Sequence, residues 1–327
     1  MNFQPLPKIE LHLHLDCSLS YEVVRKIDPS ITEDEYRCKF VAPAKCTDLA
    51  DYISRAVIAI TLMQTELNLR LVVEDLFNQL RADNVIYAEI RFAPLLHIES
   101  GLSARQVVQI VNDAVKEFSQ KTGVIAGLIL CTLRHYSEEQ SLQTVHLVNE
   151  FKGTPVCGFD IAADEAGYPI DNHIKAFEIA RQKNILCTAH AGEAKGADSV
   201  WETLKNFHPQ RIGHGVRSVE DESLLEFLKQ RNIHLEVCPT SNVQTNVYEK
   251  IQDHAADIIF RKGISMSINT DARTISDVTL SSEYLLMEEY FKWSRNHFKK
   301  CNLDAIEHAF ASEEIKAGLI KKINDAY

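Results

Sequence analysis

The stretch IELHLHLDCS, residues 9–18, alternates apolar residues with Glu10, His12, His14 and Asp16. Side chains along a strand point to opposite faces in turn, so His12, His14 and Asp16 share one face. Other polar residues end apolar, β-branched runs in the same manner: His190 in TAHAGE, His214 in RIGHG and Asp271 in SINTD, with Glu193 following His190. Imidazole nitrogens joined by a carboxylate suit zinc, which in a catalytic site keeps one position for water. Such an ion lowers the pKa of water to roughly 7 and yields hydroxide at neutral pH. Glu193 and His214 are then available as proton carriers. Each residue also has a purely structural reading. Asp16 could cap a helix, Glu193 could pair with Lys195, and Gly192, Gly213 and Gly215 could serve tight turns. Their joint occurrence at the ends of several apolar runs favours chemistry.

Residues so far apart in the chain meet only if those strand ends converge. Eight short apolar runs read as strands: 8–15, 85–94, 124–133, 156–163, 185–191, 211–215, 233–239 and 264–271. Most are followed by helical spacing. Val200, Leu204 and Phe207 fall on one helical face, as do Ile174, Phe177 and Ala180. Leu224, Leu225 and Leu228 form another stripe, with Ser218 as the expected N-cap. Alternating strands and helices of this number predict an α/β fold, a (β/α)8 barrel of TIM type whose strand C-termini share one mouth. Residues 18–84 read as a helical insertion after strand 1, a lid on that mouth, and the tail beyond Asp271 as C-terminal helices, one capped by Ser312. No linker-like composition interrupts the chain, which reads as one domain over residues 1–327.

The 327 residues are 45% hydrophobic and 25% charged, ordinary values for a chain with a sizeable core. A net charge of -11 argues against nucleic acid or an anionic membrane as partner. No apolar run approaches the ~18 residues of a membrane span, and the first ten residues lack a leader-like apolar segment. The eight cysteines are scattered with no C-x-x-C pair, which predicts free thiols and a cytoplasmic setting.

At its motifs the chain resembles the adenosine deaminase family of the amidohydrolase superfamily. The matches are KIELHLHLD (8–16), YAEIRFAP (87–94), ILCTLRH (129–135), GFDIAADE (158–165), TAHAGE (188–193), RIGHG (211–215), EVCPTSN (236–242), SINTDA (267–272) and TLSSEY (279–284). The resemblance implies a hydrolytic deaminase with one Zn2+ per chain, acting on a small purine nucleoside with water as co-substrate. It implies that His12, His14, His190 and Asp271 bind the metal, with His14 also facing the substrate. It further implies that Glu193 protonates the purine ring, that His214 orients and deprotonates the attacking water, that Asp271 bonds to that water, and that Asp16 holds the ribose 5′-hydroxyl. Asp16 favours a nucleoside, because relatives acting on adenine tend to carry Glu there and those acting on N6-methyl-AMP tend to carry Asn. Three residues depart from the family pattern: Cys17 and Ala163 replace glycines, and Ala272 replaces an aspartate. Ala163 keeps the backbone N–H that the family uses on the purine, whereas Ala272 removes a purine hydrogen bond. Arg273 could compensate as a polar neighbour or lie on the surface of the loop. These departures leave two substrates open, adenosine or 2′-deoxyadenosine on the one hand and a modified adenine nucleoside such as 6-aminodeoxyfutalosine on the other. A binuclear relative would need a lysine on the fourth strand, and VCGFDIAA has none. A non-catalytic purine-binding relative would be expected to lack one of the site residues, and all are present.

Overall fold

The computed structural model describes residues 2–327; Met1, the first residue of the single-domain reading, lies outside them. Eight parallel strands follow one another in chain order: β1 (Lys8–His14), β2 (Val85–Phe92), β3 (Ile125–Leu133), β4 (Val156–Ala162), β5 (Leu186–Ala191), β6 (Arg211–His214), β7 (His234–Val237) and β8 (Met266–Ile268). A bridge between Leu13 and Asp271 joins the last strand to the first, with His14 N donating to Asp271 O at 2.8 Å and Asp271 N to His12 O at 3.0 Å. The (β/α)8 barrel expected from the alternation is therefore the observed fold. All eight predicted runs carry a strand.

Between the strands lie α6 (Ala104–Thr122), α7 (Glu138–Glu150), α8 (Ile174–Gln182), α9 (Ala197–Phe207), α10 (Glu222–Gln230) and α12 (Ala256–Arg261), with α11 (Pro239–Gln244) directly after β7. Their apolar stripes face the barrel: Val200, Leu204 and Phe207 on α9 and Leu224, Leu225 and Leu228 on α10 are buried. The cap of α10 differs from expectation. Asp221, in extended conformation, accepts from Ser223 N, because Ser218 is spent in a 3-10 turn over Val216–Glu220. Ser312 caps α15 (Glu313–Ala326) as expected, after α13 (Leu280–Phe291) and α14 (Arg295–His308). No helix of the described residues is long and apolar enough to cross a membrane. All eight cysteines are free.

The insertion after β1 holds α1 (Tyr21–Ile27), α2 (Glu33–Lys39), α3 (Leu49–Ile53), α4 (Ala56–Leu62) and α5 (Glu66–Ala82). It is docked on the barrel mouth. Ala42 N donates to Ile275 O and Cys46 N to Gln244 O, both at 2.8 Å. Tyr52 Oη lies 2.6 Å from Ser276 Oγ. Beneath these bonds Ala42, Cys46, Leu49, Tyr52, Ala272 and Ile275 form a separate apolar cluster.

Candidate active site

The mouth of the barrel gathers the residues that the sequence placed at strand ends. The donor atoms of His12, His190, His214 and Asp271 all lie within 4.8 Å of one another, and all four residues are buried. His14 joins them: its Nε2 is 3.2 Å from His190 Nε2 and 3.4 Å from Asp271 Oδ1. His12 Nε2 is 3.3 Å from the same carboxylate oxygen. In tetrahedral zinc with donors at about 2.0–2.1 Å, donor atoms stand about 3.3 Å apart. Three edges of the set His12, His14, His190 and Asp271, at 3.2, 3.3 and 3.4 Å, match that length. Glycine makes room for it, since a Cβ on Gly213 would stand 2.9 Å from His12 Cε1. Asp271 and His214 both adopt left-handed backbone, φ +63° and +60°, which turns their side chains out of the strand line.

A charged floor beneath the mouth fixes the imidazoles. His12 Nδ1 pairs with Glu236 Oε2 at 2.9 Å, and His190 Nδ1 with Asp160 Oδ1 at 3.2 Å. Arg91 clamps both acids, donating to Asp160 Oδ2 at 2.8 Å and Glu236 Oε2 at 2.7 Å. Each ring thereby presents Nε2 upward, the arrangement expected of metal-binding histidines. Burial pushes the pKa values of His14, His190 and His214 down, so these rings are neutral. For His12, burial and Arg91 act downward but the bonds to Asp271 and Glu236 prevail and raise it; a cation at the site would displace that proton.

The two carboxyl groups at the mouth are driven apart. Glu193 is raised well above the ordinary value by burial, then by the charges of Asp271 and Glu165. Asp271 is lowered well below it, because its bond to His12 and the surrounding imidazoles overcome the effect of burial. One acid holds its proton and the other does not, which separates donor from acceptor. Glu193 is set in place by Glu165, whose carboxylate accepts from Gly192 N (2.8 Å), Glu193 N (3.0 Å), Lys195 N (2.9 Å) and Ser199 Oγ (2.6 Å). It faces His214 Nε2 at 3.6 Å and makes no ion pair with Lys195.

The tautomer of His214 follows from a chain of hydrogen bonds. Ala256 N can only donate, and it does so to His254 Nδ1 at 3.1 Å. Burial holds His254 down to about 3, so the ring is neutral and its one proton is on Nε2, directed at Asn242 Oδ1 at 3.2 Å. Asn242 then turns its Nδ2 to His214 Nδ1 at 3.0 Å. This network assigns the His214 proton to Nε2. The sequence reading made His214 a base as well as an orienter; in this tautomer it is a donor.

Asp16 lies in the turn Leu15–Cys17 just past β1 and caps no helix; α1 is capped by Ser20. Burial pushes its pKa up to about 6. Ala163, just past β4, has φ +78°, a backbone that favours glycine. Ala272 is buried in the apolar seam under the insertion. Arg273 neither reaches the site nor lies on the surface. It is buried and paired with Glu10 at 2.7 Å and Asp83 at 3.1 Å. Glu10 is thereby drawn to the β8 loop, where it also accepts from Thr270 N at 3.0 Å. A cavity of about 740 Å³ opens beside Glu193, walled by Asp48 and Leu49 of the insertion and by Asp164, Arg217 and Tyr248.

Sequence reasoning missed Arg91, Asp160, Glu165, Glu236 and Asn242 as site residues. The available signal was a charge inside an apolar strand, as in YAEIRF and HLEV.

Comparison with known proteins agrees with this picture. An adenosine deaminase family model matches residues 7–326. A curated protein named adenosine deaminase from Clostridium acetobutylicum is 34% identical over 326 residues, 98% of this chain and 97% of that protein. Among solved structures, an adenine deaminase from Arthrobacter aurescens superposes with a TM-score of 0.90 at 25% identity, covering 98% of each chain. An amidohydrolase from Burkholderia ambifaria with bound Zn has the same fold, with a TM-score of 0.90 at 22% identity over 99% of this chain and 92% of that one. The chain belongs to the adenosine deaminase family.

Proposed function

We propose that the protein is a metal-dependent hydrolase that converts adenosine or 2′-deoxyadenosine to inosine or 2′-deoxyinosine and ammonia. The observation that carries this reading is the placement of two carboxyl groups at one buried imidazole cluster, Asp271 against His12 and His14 at 3.3 and 3.4 Å and Glu193 against His214 at 3.6 Å, with burial and neighbouring charge pushing the Glu193 carboxyl up while Asp271 is held down. Deamination of an aromatic amidine needs both. The ring must receive a proton on nitrogen while water adds to the neighbouring carbon, because the transition state gives up aromaticity.

His12, His14, His190 and Asp271 would hold one zinc ion per chain, a choice supported by their donor types and spacing. Zinc there supplies the Lewis acidity that makes water a nucleophile at neutral pH. Glu193 would give its proton to the ring nitrogen next to the carbon under attack. His214 would orient the water by donating from Nε2. Asp271 would take the water's proton, with Ser241 Oγ donating to its Oδ2 at 2.7 Å and fixing its plane. Asp16 would receive the ribose 5′-hydroxyl, and the Ala163 N–H would meet the purine. The insertion would act as the lid over this site, within a single domain.

The second substrate left open by Cys17, Ala163 and Ala272, a modified adenine nucleoside such as 6-aminodeoxyfutalosine, lacks a 5′-hydroxyl and would require a different role for Asp16. The test is ammonia release by zinc-loaded protein, comparing kcat/KM for adenosine, 2′-deoxyadenosine, adenine, AMP, N6-methyl-AMP and 6-aminodeoxyfutalosine. Preference for adenosine or its deoxy form supports the first reading. Poor adenosine turnover with a strong rate on 6-aminodeoxyfutalosine supports the second, and no release from any substrate sinks both.

A further inference from the structure

Beside Asp16 lies a fully buried imidazole that the chemistry above does not use. His97 follows β2 in the loop after Pro94–Leu96, and it is completely shielded. Neither of its ring nitrogens makes a well-formed hydrogen bond, although the Met63 backbone lies alongside. Its Nε2 is 3.9 Å from Asp16 Oδ2. The loop is not free to turn the ring elsewhere. Gln64, just past α4, donates to Leu96 O at 2.9 Å and accepts from Glu99 N at 3.0 Å, so both flanks of His97 are tied to the insertion. Phe92 stands against the ring, with centroids 6.1 Å apart.

A buried polar group without a partner is costly, and the cost is removed when a ligand supplies the missing bond. At 3.9 Å, Asp16 Oδ2 and His97 Nε2 are too far apart to bond each other well. A single oxygen placed about 2.8 Å from both would see them at an angle of about 90°, a workable geometry for a hydroxyl. The hydroxyl would donate to the carboxylate and accept from the imidazole N–H. Burial lowers the His97 pKa to about 4, so the ring is neutral and offers no cation to a phosphate.

Resting on the reading of the site as that of a purine nucleoside deaminase, we infer that His97 is a second substrate-specificity residue, which with Asp16 selects ligands carrying a free 5′-hydroxyl on the sugar. A 5′-deoxy sugar leaves both buried groups unpaired, and a 5′-phosphate meets a carboxylate with no counter-charge. Sites built around a substrate hydroxyl discriminate strongly against analogues that lack it.

The test compares kcat/KM for adenosine and 5′-deoxyadenosine in zinc-loaded wild type, His97→Phe and His97→Gln. Phe keeps a ring and loses the hydrogen bond; Gln keeps an amide N–H near the position of Nε2. The adenosine preference is expected to fall about tenfold in His97→Phe, with 5′-deoxyadenosine turnover nearly unchanged, and to recover to within about threefold of wild type in His97→Gln. Equal losses on both substrates, or an unchanged preference in His97→Phe, would overturn the assignment. Should the Phe variant not fold, His97→Asn, whose short amide withdraws from Asp16, is read on the same ratio with the same expectation. Wild type that releases no ammonia from adenosine overturns the underlying nucleoside reading instead, so the two failures are distinct.

Discussion

Asn242 Nδ2 stands 3.0 Å from His214 Nδ1, and the backbone N–H of Ala256, acting through His254, leaves Asn242 no other orientation. The polarity of His214 is thus set by an amide on α11, five residues past the end of β7, and by a second histidine behind it. Asn242→Asp reverses that polarity, because a carboxylate accepts where the amide donates. His214 would then carry its proton on Nδ1 and turn a lone pair to the mouth. The expected result is a 10- to 100-fold fall in kcat with little change in KM, within the usual range for losing a positioned proton-transfer partner. Steady-state kinetics on adenosine checks this; an unchanged kcat would show that the tautomer is immaterial to the reaction.

Glu236 presents a different test, one that reads metal instead of rate. Burial alone would raise its pKa, but Arg91 and Arg211 more than offset this and keep it ionised under His12. Glu236→Gln preserves shape and removes the charge that orients His12. Metal affinity is expected to drop about 10- to 100-fold, as for other carboxylates behind metal-bound histidines. Competition with a chromophoric chelator measures it directly. Wild-type affinity in this variant would mean that Arg91 and the backbone hold His12 unaided.

Glu283 predicts a pH effect on stability. It is buried on α13 with only a 3.3 Å bond from Thr240 N, and burial pushes its pKa up to about 8. The folded protein therefore holds a proton on Glu283 that the unfolded chain has lost above about pH 4.5. Stability from this group is fully present below the unfolded value and drains away as pH rises towards and through 8. Glu283→Gln removes the titration. Thermal unfolding should show the wild type losing more Tm than the variant between pH 6 and 9, and parallel curves would contradict the assignment.

The barrel and the cluster were legible because both follow from local pattern. Eight apolar, often β-branched runs admit few arrangements, and four of them carry His or Asp at their ends. The floor was harder to read for a physical reason. Glu236 lies 224 residues from His12, and nothing local distinguishes a charge buried against a distant partner from one in solvent. Arg273 shows the same difficulty: its partners Glu10 and Asp83 come from the first strand and the end of α5. The Ser218 cap failed for a local reason, since the chain spends five residues on a 3-10 turn before α10 begins. Nothing in the order of residues announced that Ala272 would be covered by the insertion.

The two departures Ala163 and Ala272 look alike in sequence, each a family residue replaced by alanine, yet restoring them should have opposite effects. Ala163 sits at φ +78°, where a Cβ is strained and glycine is not. Ala163→Gly is expected to stabilise by about 1 kcal/mol, raising Tm by about 1–3 °C. Ala272 instead packs against Ala42, Tyr52 and Ile275, next to the ionised Asp271. Ala272→Asp would bury a second carboxylate in an apolar seam beside a like charge, at a cost of about 3 kcal/mol or more. Its Tm should fall, the insertion should exchange amide hydrogen faster over residues 42–56, and adenosine turnover should not improve. A gain in adenosine kcat/KM with no loss of Tm would mean that the side chain at 272 looks into the substrate cavity and that the seam yields to let it do so.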